Sequence, residues 1–173
     1  MLMRFRKNES GVAAVEFALV APVLILLYCG LAELTMAMMA ERQAAHSASV
    51  VGDLVAQSIN MNATQMTDIF HVGDAIMKPF STATLKIRVS SVKADANGVA
   101  KVVWSQGHGL GAFTAGATVA AFPANLLLPG DSVIEADVSY DFTSPIMQVV
   151  PNALNYSDSF YLKPRRVTEV PFT

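Results

Sequence analysis

The sequence predicts an α+β protein: a long N-terminal transmembrane helix continuing into a small domain with a second helix and an antiparallel sheet of about four strands. Two observations lead to this prediction. An apolar run near the N-terminus is followed by apolar residues at spacings of three and four, which is typical of helices. From Thr84 onward the apolar period changes to two, with turn residues between the alternating segments, which is typical of strands. Helices followed by strands in this order indicate the α+β class.

The first element is an apolar run of 21 residues, 12–32. At about 1.5 Å of rise per residue, a helix of this length crosses a hydrocarbon core of about 30 Å. Pro22 falls inside the run and removes one backbone hydrogen bond, so we expect a kink that membrane helices tolerate. Whether the kink also gives the helix a functional flexible point stays open.

Glu16 is the one acidic residue inside this run, one helical turn from its start. An ionised carboxylate at the centre of a bilayer costs about 2.5–3.5 kcal/mol and less near the interface. Glu16 therefore needs a partner. A cut between Gly11 and Val12 would create one, because the new α-amine of Val12 lies four residues away on the same helix face. The ammonium would neutralise the carboxylate in the same chain or in a neighbouring one.

The eleven residues before Val12 form a basic leader with a net side-chain charge of +2 from three basic residues and one acidic residue: Arg4, Arg6, Lys7 and Glu9. The positive-inside rule places such a leader in the cytoplasm. A basic leader, a glycine, four small or apolar residues, Glu16-Phe17 and a long apolar helix together resemble the cleavage site of type IV prepilins. The resemblance implies cleavage after Gly11 by a prepilin peptidase, with Glu16 and Phe17 setting helix register during assembly.

Three other kinds of N-terminal segment share part of this pattern. An ordinary signal anchor has the same basic flank and apolar run but leaves Glu16 unexplained. A secretory signal peptide would be cut at the small residues around Leu31, although its apolar region would be unusually long. A lipoprotein signal ending at Cys29 is disfavoured, because Tyr28 is too bulky for the position before the cysteine.

The helical pattern continues beyond the apolar run to about residue 59, carried by a stripe of small and apolar residues: Ala44, Ala48, Val51, Val55 and Ile59. This outer half packs either on its own domain or on neighbouring subunits, and we expect its own domain. A second amphipathic helix follows over about 64–77, with Thr64 as the expected N-cap.

The sheet is expected to contain a hairpin of residues 84–92 and 99–105, a strand at 132–142 and a last strand near 157–162. Between the hairpin and the third strand lies a connection, 106–131, with enough glycine to be a mobile surface excursion, and Leu126-Leu127-Leu128 within it are candidates to pack under the sheet. The third strand alternates apolar residues with acidic ones, and a solvated strand face accounts for Glu135, Asp137 and Asp141.

Several pieces of the chain resemble the TadE-like family of tight-adherence (Flp/Tad) pilus assembly proteins. The most distinctive piece is residues 11–22, and further pieces lie in the sheet: Ser90-Ser91-Val92, Val103-Trp104-Ser105, Tyr140 with Phe142 and Pro145, and Phe160 with Pro164-Arg165. The resemblance implies a minor pilin or pseudopilin that assists pilus assembly. Its implied partners are the prepilin peptidase, other pilins and pseudopilins, the inner-membrane assembly platform and the lipid bilayer.

The same resemblance implies a location in the bacterial inner membrane, or in the pilus itself. Residues 1–11 would be a cytoplasmic leader, 12–32 a single membrane-spanning helix and 33–173 a periplasmic pilin-like domain.

Little in the sequence points to catalysis. The three histidines, His46, His71 and His108, lack the spacing of a zinc site, and no phosphate-binding or nucleophile motif is present, so we expect neither a metal nor a cofactor. A net charge of −2 with no strongly basic block disfavours nucleic-acid binding. We therefore predict a structural protein rather than an enzyme. The alternative is a periplasmic binding or hydrolytic module that the helix only tethers to the membrane.

Overall fold

The computed structural model describes residues 10–119, 122–123, 126–146 and 153–173. Two helices precede four strands, α1 (Ser10–Ala56), α2 (Ala63–Ile76), β1 (Leu85–Ala94), β2 (Ala100–His108), β3 (Ser132–Phe142) and β4 (Leu154–Leu162). The predicted α+β class is confirmed. The chain divides into two compact units, one drawn from residues 1–38 and 143–153, the other from 39–142 and 154–173.

Helix α1 has 47 residues and ends three residues before the predicted end. The amide of Ser58 bonds to the carbonyl of Val55, three residues back, which tightens the last turn. The carbonyl of Ala56 accepts a hydrogen bond from the amide of Arg165 at 2.9 Å, so this carbonyl is paired outside the helix. Within the second unit, four of the five stripe residues are buried, namely Ala44, Ala48, Val51 and Val55, whereas Ile59 lies beyond the end of α1 and is 53% exposed. The expectation that the outer half of the helix packs on its own domain is confirmed.

Helix α2 begins one residue before the predicted start, and its N-cap is Asn62 rather than Thr64. The Oδ1 atom of Asn62 accepts the amide of Gln65 at 2.9 Å, and Oε1 of Gln65 accepts the amide of Asn62 at 3.1 Å. This reciprocal capping box satisfies two amides that the helix itself cannot pair, which is why Asn62 prevails over Thr64. The inner face of α2 carries the buried residues Met66, Phe70 and Gly73.

The four strands form one antiparallel sheet in the order β2-β1-β3-β4. The predicted β1–β2 hairpin is confirmed, although β2 continues to His108, which was predicted to lie in the following connection. The last strand is also longer than predicted and begins at Leu154. Strand β3 is central and pairs with β1 and β4 along its length, so its apolar residues become the middle of the core.

Two glycines let the helices approach one face of the sheet closely. A Cβ atom on Gly52 of α1 would lie 2.7 Å from Leu162 Cδ1 and 3.0 Å from Ala136 Cβ. A Cβ atom on Gly73 of α2 would lie 3.0 Å from Ile87 Cδ1 and 3.0 Å from Ser47 Oγ. These distances are shorter than ordinary van der Waals contact, so the helix backbones themselves form part of the core.

The opposite face of the sheet is covered by the connection between β2 and β3. Three of its side chains, together with Tyr161 of β4, pack on the buried residues Val92, Ala100 and Val133: Val119, Phe122 and Leu127. Its backbone also extends the β2 edge, since the amide of Val102 bonds to the carbonyl of Ala117 at 2.9 Å. The described part of the connection is thus a layer packed on the sheet.

This cover overturns the expectation of a solvated polar face on β3. Glu135 is 4% exposed and Asp137 is 8% exposed, whereas the sequence predicted acids in water. Alternation along β3 predicts which of its residues share a face. It does not predict that the β2–β3 connection covers the acidic face, because that connection has no helical or strand periodicity of its own.

Candidate functional site

The largest uncovered apolar surface among the described residues is the first part of α1. Within residues 12–31 the large apolar side chains are more than half exposed, with Phe17 and Leu19 each at 71%. A run of this length covers about 30 Å along the helix axis, which matches the hydrocarbon thickness of a bilayer. Apolar surface of this extent in water is strongly unfavourable, so it is suited to a membrane or to other helices.

Length and composition also identify α1 as the one described helix that is long and apolar enough to cross a membrane. The described chain therefore fits a single-pass membrane anchor at its N-terminal end. The leader residues 1–9, which carry the charges used above to orient the helix, lie outside the described residues.

The predicted cleavage and register residues lie together at the start of this helix. Gly11, Val12, Glu16 and Phe17 are all within the helical residues of α1 and all are exposed. Val12 and Glu16 are four residues apart, so their side chains project from one face of the helix. An exposed carboxylate on a helix surrounded by apolar side chains is available to a positive group brought to that face.

Gly11 has no packing reason to be a glycine within the described residues. A Cβ atom there would meet no other atom within 4 Å. Alanine at a helical position is more favourable than glycine by about 1 kcal/mol, so helix formation also disfavours the residue.

Pro22 lies inside α1, as its position in the sequence required. It is exposed, and its ring deprives the carbonyl of Ala18 of the usual hydrogen bond. The helix continues through this position, so the described structure accommodates the proline without ending the element.

A second glutamate on α1, Glu33, follows directly after the apolar run. The structure buries it completely, at 0% exposure. Glu16 and Glu33 thus differ in surroundings, and only their positions relative to the apolar run distinguished them in the sequence.

Outside α1, a polar cluster lies under the cover on the sheet. Both Nε and Nη2 of Arg88 donate to Oδ2 of Asp137, at 3.0 and 2.7 Å, and Ser159 Oγ donates to Oδ1 of Asp137 at 2.6 Å. Next to this pair, burial raises the pKa of Glu135 to about 6, assisted by the charge of Asp137 and opposed by a hydrogen bond from Tyr161. Burial likewise raises the pKa of Tyr161 to about 12.

The histidines form no metal centre in the part of the chain that the structure describes. His71 and His108 flank the carboxylate of Asp74, each with a nitrogen 3.7 Å from one of its oxygens, and His108 also stacks on Phe70. No group of three metal-binding side chains converges among residues 10–119, 122–123, 126–146 and 153–173. Two of the three basic residues directly after β4 form surface ion pairs, Lys163 with Asp131 and Arg165 with Asp53.

Comparison with known families places a match on the helix that carries the candidate site. Residues 11–52 match the family described as TadE-like protein. The matched segment begins at Gly11 and contains Val12, Glu16, Phe17 and Pro22, so the predicted resemblance to the TadE-like family is confirmed over this segment. No curated protein and no solved structure matches the chain.

Proposed function

We propose that this chain, which carries the TadE-like segment at residues 11–52, is a minor pilin or pseudopilin that assists assembly of a Tad-type pilus or a related secretion system. A TadE-like segment implies involvement in Tad pilus assembly, and the finer role rests on the chemistry of α1. Its partners would be a prepilin peptidase, other pilins and pseudopilins, the inner-membrane assembly platform and the bilayer. Its role would be structural rather than catalytic.

The observation that carries the proposal is an exposed acid on an exposed apolar helix. Phe17, Leu19 and their neighbours offer surface that a bilayer or a helix bundle would cover. Glu16 would be costly in either environment unless a cation meets it. An α-amine created at Val12 supplies that cation on the same helix face.

Gly11 supports processing by an external enzyme. Neither packing nor helix propensity accounts for a glycine at this position, which is consistent with recognition by an enzyme that reads the unmodified chain. A prepilin peptidase acting on the cytoplasmic side would be such a reader. Cleavage after Gly11 would leave a mature chain that begins with the apolar helix.

The charges of the basic leader, of Glu16 and of a new Val12 amine lead to an expected order of insertion, cleavage and assembly. The basic leader would hold the N-terminus in the cytoplasm while α1 crosses the inner membrane and the domain folds on the periplasmic side. Cleavage would then remove the leader and free the amine of Val12. Glu16 would pair with that amine, in the same chain or in a neighbouring subunit, and so favour one helix register in a bundle without water.

The experiment compares Glu16→Gln with Glu41→Gln, which makes the same change at an exposed position of α1 in the second unit. The Val12 amine that Glu16→Gln would leave unpaired lies near the membrane interface, where a charge costs less than the roughly 3 kcal/mol of the bilayer centre. We therefore expect a loss of at most about 100-fold in co-purification with Tad subunits and in piliation for Glu16→Gln. Cleavage, measured by intact mass, should persist.

Normal piliation with Glu16→Gln would contradict the pairing role. Loss of the protein in both variants would indicate a folding defect and not a defect in pairing. A chain that is never cleaved and never co-purifies with other subunits would favour a membrane-tethered binding or hydrolytic module.

A further inference from the structure

The two edges of the sheet differ in whether the chain itself covers them. At the β2 edge, residues 116–119 hydrogen-bond to the backbone of Ala100 and Val102. At the β4 edge, no backbone group of the described residues pairs with the outer side of Leu154–Leu162. Free amides and carbonyls along a strand edge form a template that an extended chain can join.

Strand β4 lacks the features that commonly protect an edge from such pairing. Its nine residues contain no proline, lysine or arginine, and its register against β3 runs without a bulge. Natural edge strands are often short, or carry a proline, a lysine or a bulge that prevents another strand from adding. The chain therefore closes one edge of its sheet and leaves the other open to an added strand.

A hydrogen bond at the middle of β4 shows which backbone groups face outward. The amide of Ser159 donates to Oδ1 of Asp158 at 2.8 Å, so this amide points away from β3. Backbone groups alternate in direction along an antiparallel strand, so Asn155, Ser157 and Tyr161 also direct theirs outward. The Asp158 carboxylate thus occupies the position that the carbonyl of an added strand would take.

The side chains on one face of this edge combine apolar groups with a single acid. Leu154, Tyr156, Phe160 and Leu162 are half-buried and alternate along the face that α1 covers, with the exposed Asp158 at their centre. Side chains directly opposite each other on neighbouring strands contact one another. An added strand that matches this row therefore needs apolar residues on both sides of a central residue that faces Asp158.

The charge at the edge decides which kind of chain fits it. Neither Asp158 nor Glu41 of α1 has an ion pair in the part of the chain that the structure describes. Burial and then the charge of Glu41 raise the pKa of Tyr156, so this second acid lies near the edge. A second copy is poorly suited, because pairing Leu154 of one copy with Leu162 of the other sets Asp158 against itself. A cation at that position would instead meet two uncompensated acids.

We propose that the outer edge of β4 is a docking site for an extended basic segment of a partner protein, which adds to the sheet as a fifth strand antiparallel to β4. Its alternate apolar side chains would extend the apolar row of β4, and a lysine or arginine would face Asp158. A carbonyl of the added strand would replace the Asp158 carboxylate on the amide of Ser159 and so free that carboxylate for the cation. The edge lies in the second unit, so the proposal does not depend on cleavage at Gly11 or on the role of α1.

The test uses the full chain in detergent micelles and two synthetic peptides. One peptide is Val-Thr-Val-Thr-Lys-Thr-Val-Thr-Val, and the other has glutamate in place of the lysine. Binding is measured by the fluorescence anisotropy of labelled peptide, and residue-resolved hydrogen exchange identifies the amides that the peptide protects. We expect the lysine peptide to bind about 5-fold more tightly, because opposite charges attract across a strand pair and like charges repel. Exchange should slow at Ser157, Ser159 and Tyr161.

Charge reversal provides the matched variants. Asp158→Lys should reverse the preference, so that the glutamate peptide binds about 5-fold more tightly. Asp68→Lys, the same change at an exposed position of α2, should keep the preference for the lysine peptide. Ser157→Pro removes an outward amide without removing a bond to β3, so it should abolish binding while the emission of the buried Trp104 stays unchanged.

Three results would overturn the proposal. The first is no saturable binding of the lysine peptide at about 1 mM, or the same preference in Asp158→Lys as in the wild type. The second is binding that leaves exchange of the β4 amides unchanged, because the peptide would then lie elsewhere. The third is protection of Ser157 and Ser159 that rises with protein concentration without peptide, which would assign the edge to a second copy.

Discussion

Gly52 offers a direct test of whether the outer half of α1 is built into the core of the sheet domain. A side chain at Gly52 would meet Leu162 Cδ1 at 2.7 Å and Ala136 Cβ at 3.0 Å. The end of the Leu162 side chain can turn away, but Ala136 Cβ is fixed to the central strand. Gly52→Ala therefore combines a gain in helix propensity of about 1 kcal/mol with a clash of similar size.

The informative quantity is the difference in the free energy of unfolding between Gly52→Ala and Gly52→Val. Two added carbons have no space, so the free energy of unfolding should fall by about 2 kcal/mol between Gly52→Ala and Gly52→Val. The matched control is Ala75→Val on the exposed surface of α2, where the same chemical step should cost only the propensity difference, about 0.5 kcal/mol.

The assay is denaturant unfolding of the full chain in detergent, followed by the fluorescence of Trp104. Trp104 is the single tryptophan of the chain and is 8% exposed in the core, so its emission reports on the sheet domain. Equal alanine-to-valine steps at positions 52 and 75 would refute the close packing of α1 on Ala136.

Two further substitutions test the polar and the C-terminal contacts of the same domain. Arg88→Met should lower the free energy of unfolding by about 3 kcal/mol, because the largely buried Asp137 loses its cation. Lys163→Met is the control and should lower it by less than about 1 kcal/mol, because the Lys163 side chain is 71% exposed. Trp104→Phe removes the 2.7 Å hydrogen bond from Nε1 to the carbonyl of Val170, so it should lower the free energy of unfolding by about 1–2 kcal/mol and raise hydrogen exchange in 170–173. Unfolding of this variant is followed by circular dichroism, because it has no tryptophan. An Arg88→Met cost no larger than that of Lys163→Met, or unchanged exchange at the C-terminus in Trp104→Phe, would contradict these contacts.

The features that the sequence predicted well are local. The apolar run, Pro22 and the 3.6-residue stripe all act within a few turns of one helix, so α1 follows from neighbouring residues alone. The strand at Ser132–Phe142 was likewise predicted by strict alternation and has the predicted bounds. The burial of its acidic face was missed, although Leu127 packs on the sheet as considered from the sequence, because nothing in the non-periodic connection indicated which face it would cover.

Element ends were predicted less well because they depend on distant partners. The end of α1 at Ala56 coincides with a hydrogen bond to the amide of Arg165, more than a hundred residues later. The start of α2 was misplaced for a local reason, since the reciprocal bonds of Asn62 and Gln65 prevail over Thr64. Asn62 followed by Gln65 three residues later is itself a capping-box pattern in the sequence.

The same difference between local and distant contacts decided which candidate site residues the sequence could predict. Gly11, Val12, Glu16 and Phe17 could be singled out because charge, spacing and apolar length all converge in one short segment. The cluster of Arg88, Glu135 and Tyr161 could not, because its members come from three strands and meet only through the sheet register.

The most direct measurement is the N-terminal residue of the mature chain, obtained by intact mass and N-terminal sequencing after co-expression with a prepilin peptidase. The account predicts a polypeptide that starts at Val12 when the peptidase is present and at Met1 when it is absent. A mature chain that keeps Met1 with active peptidase, or that starts near Glu33, would contradict the claim that Glu16 exists to meet an amine made by cleavage.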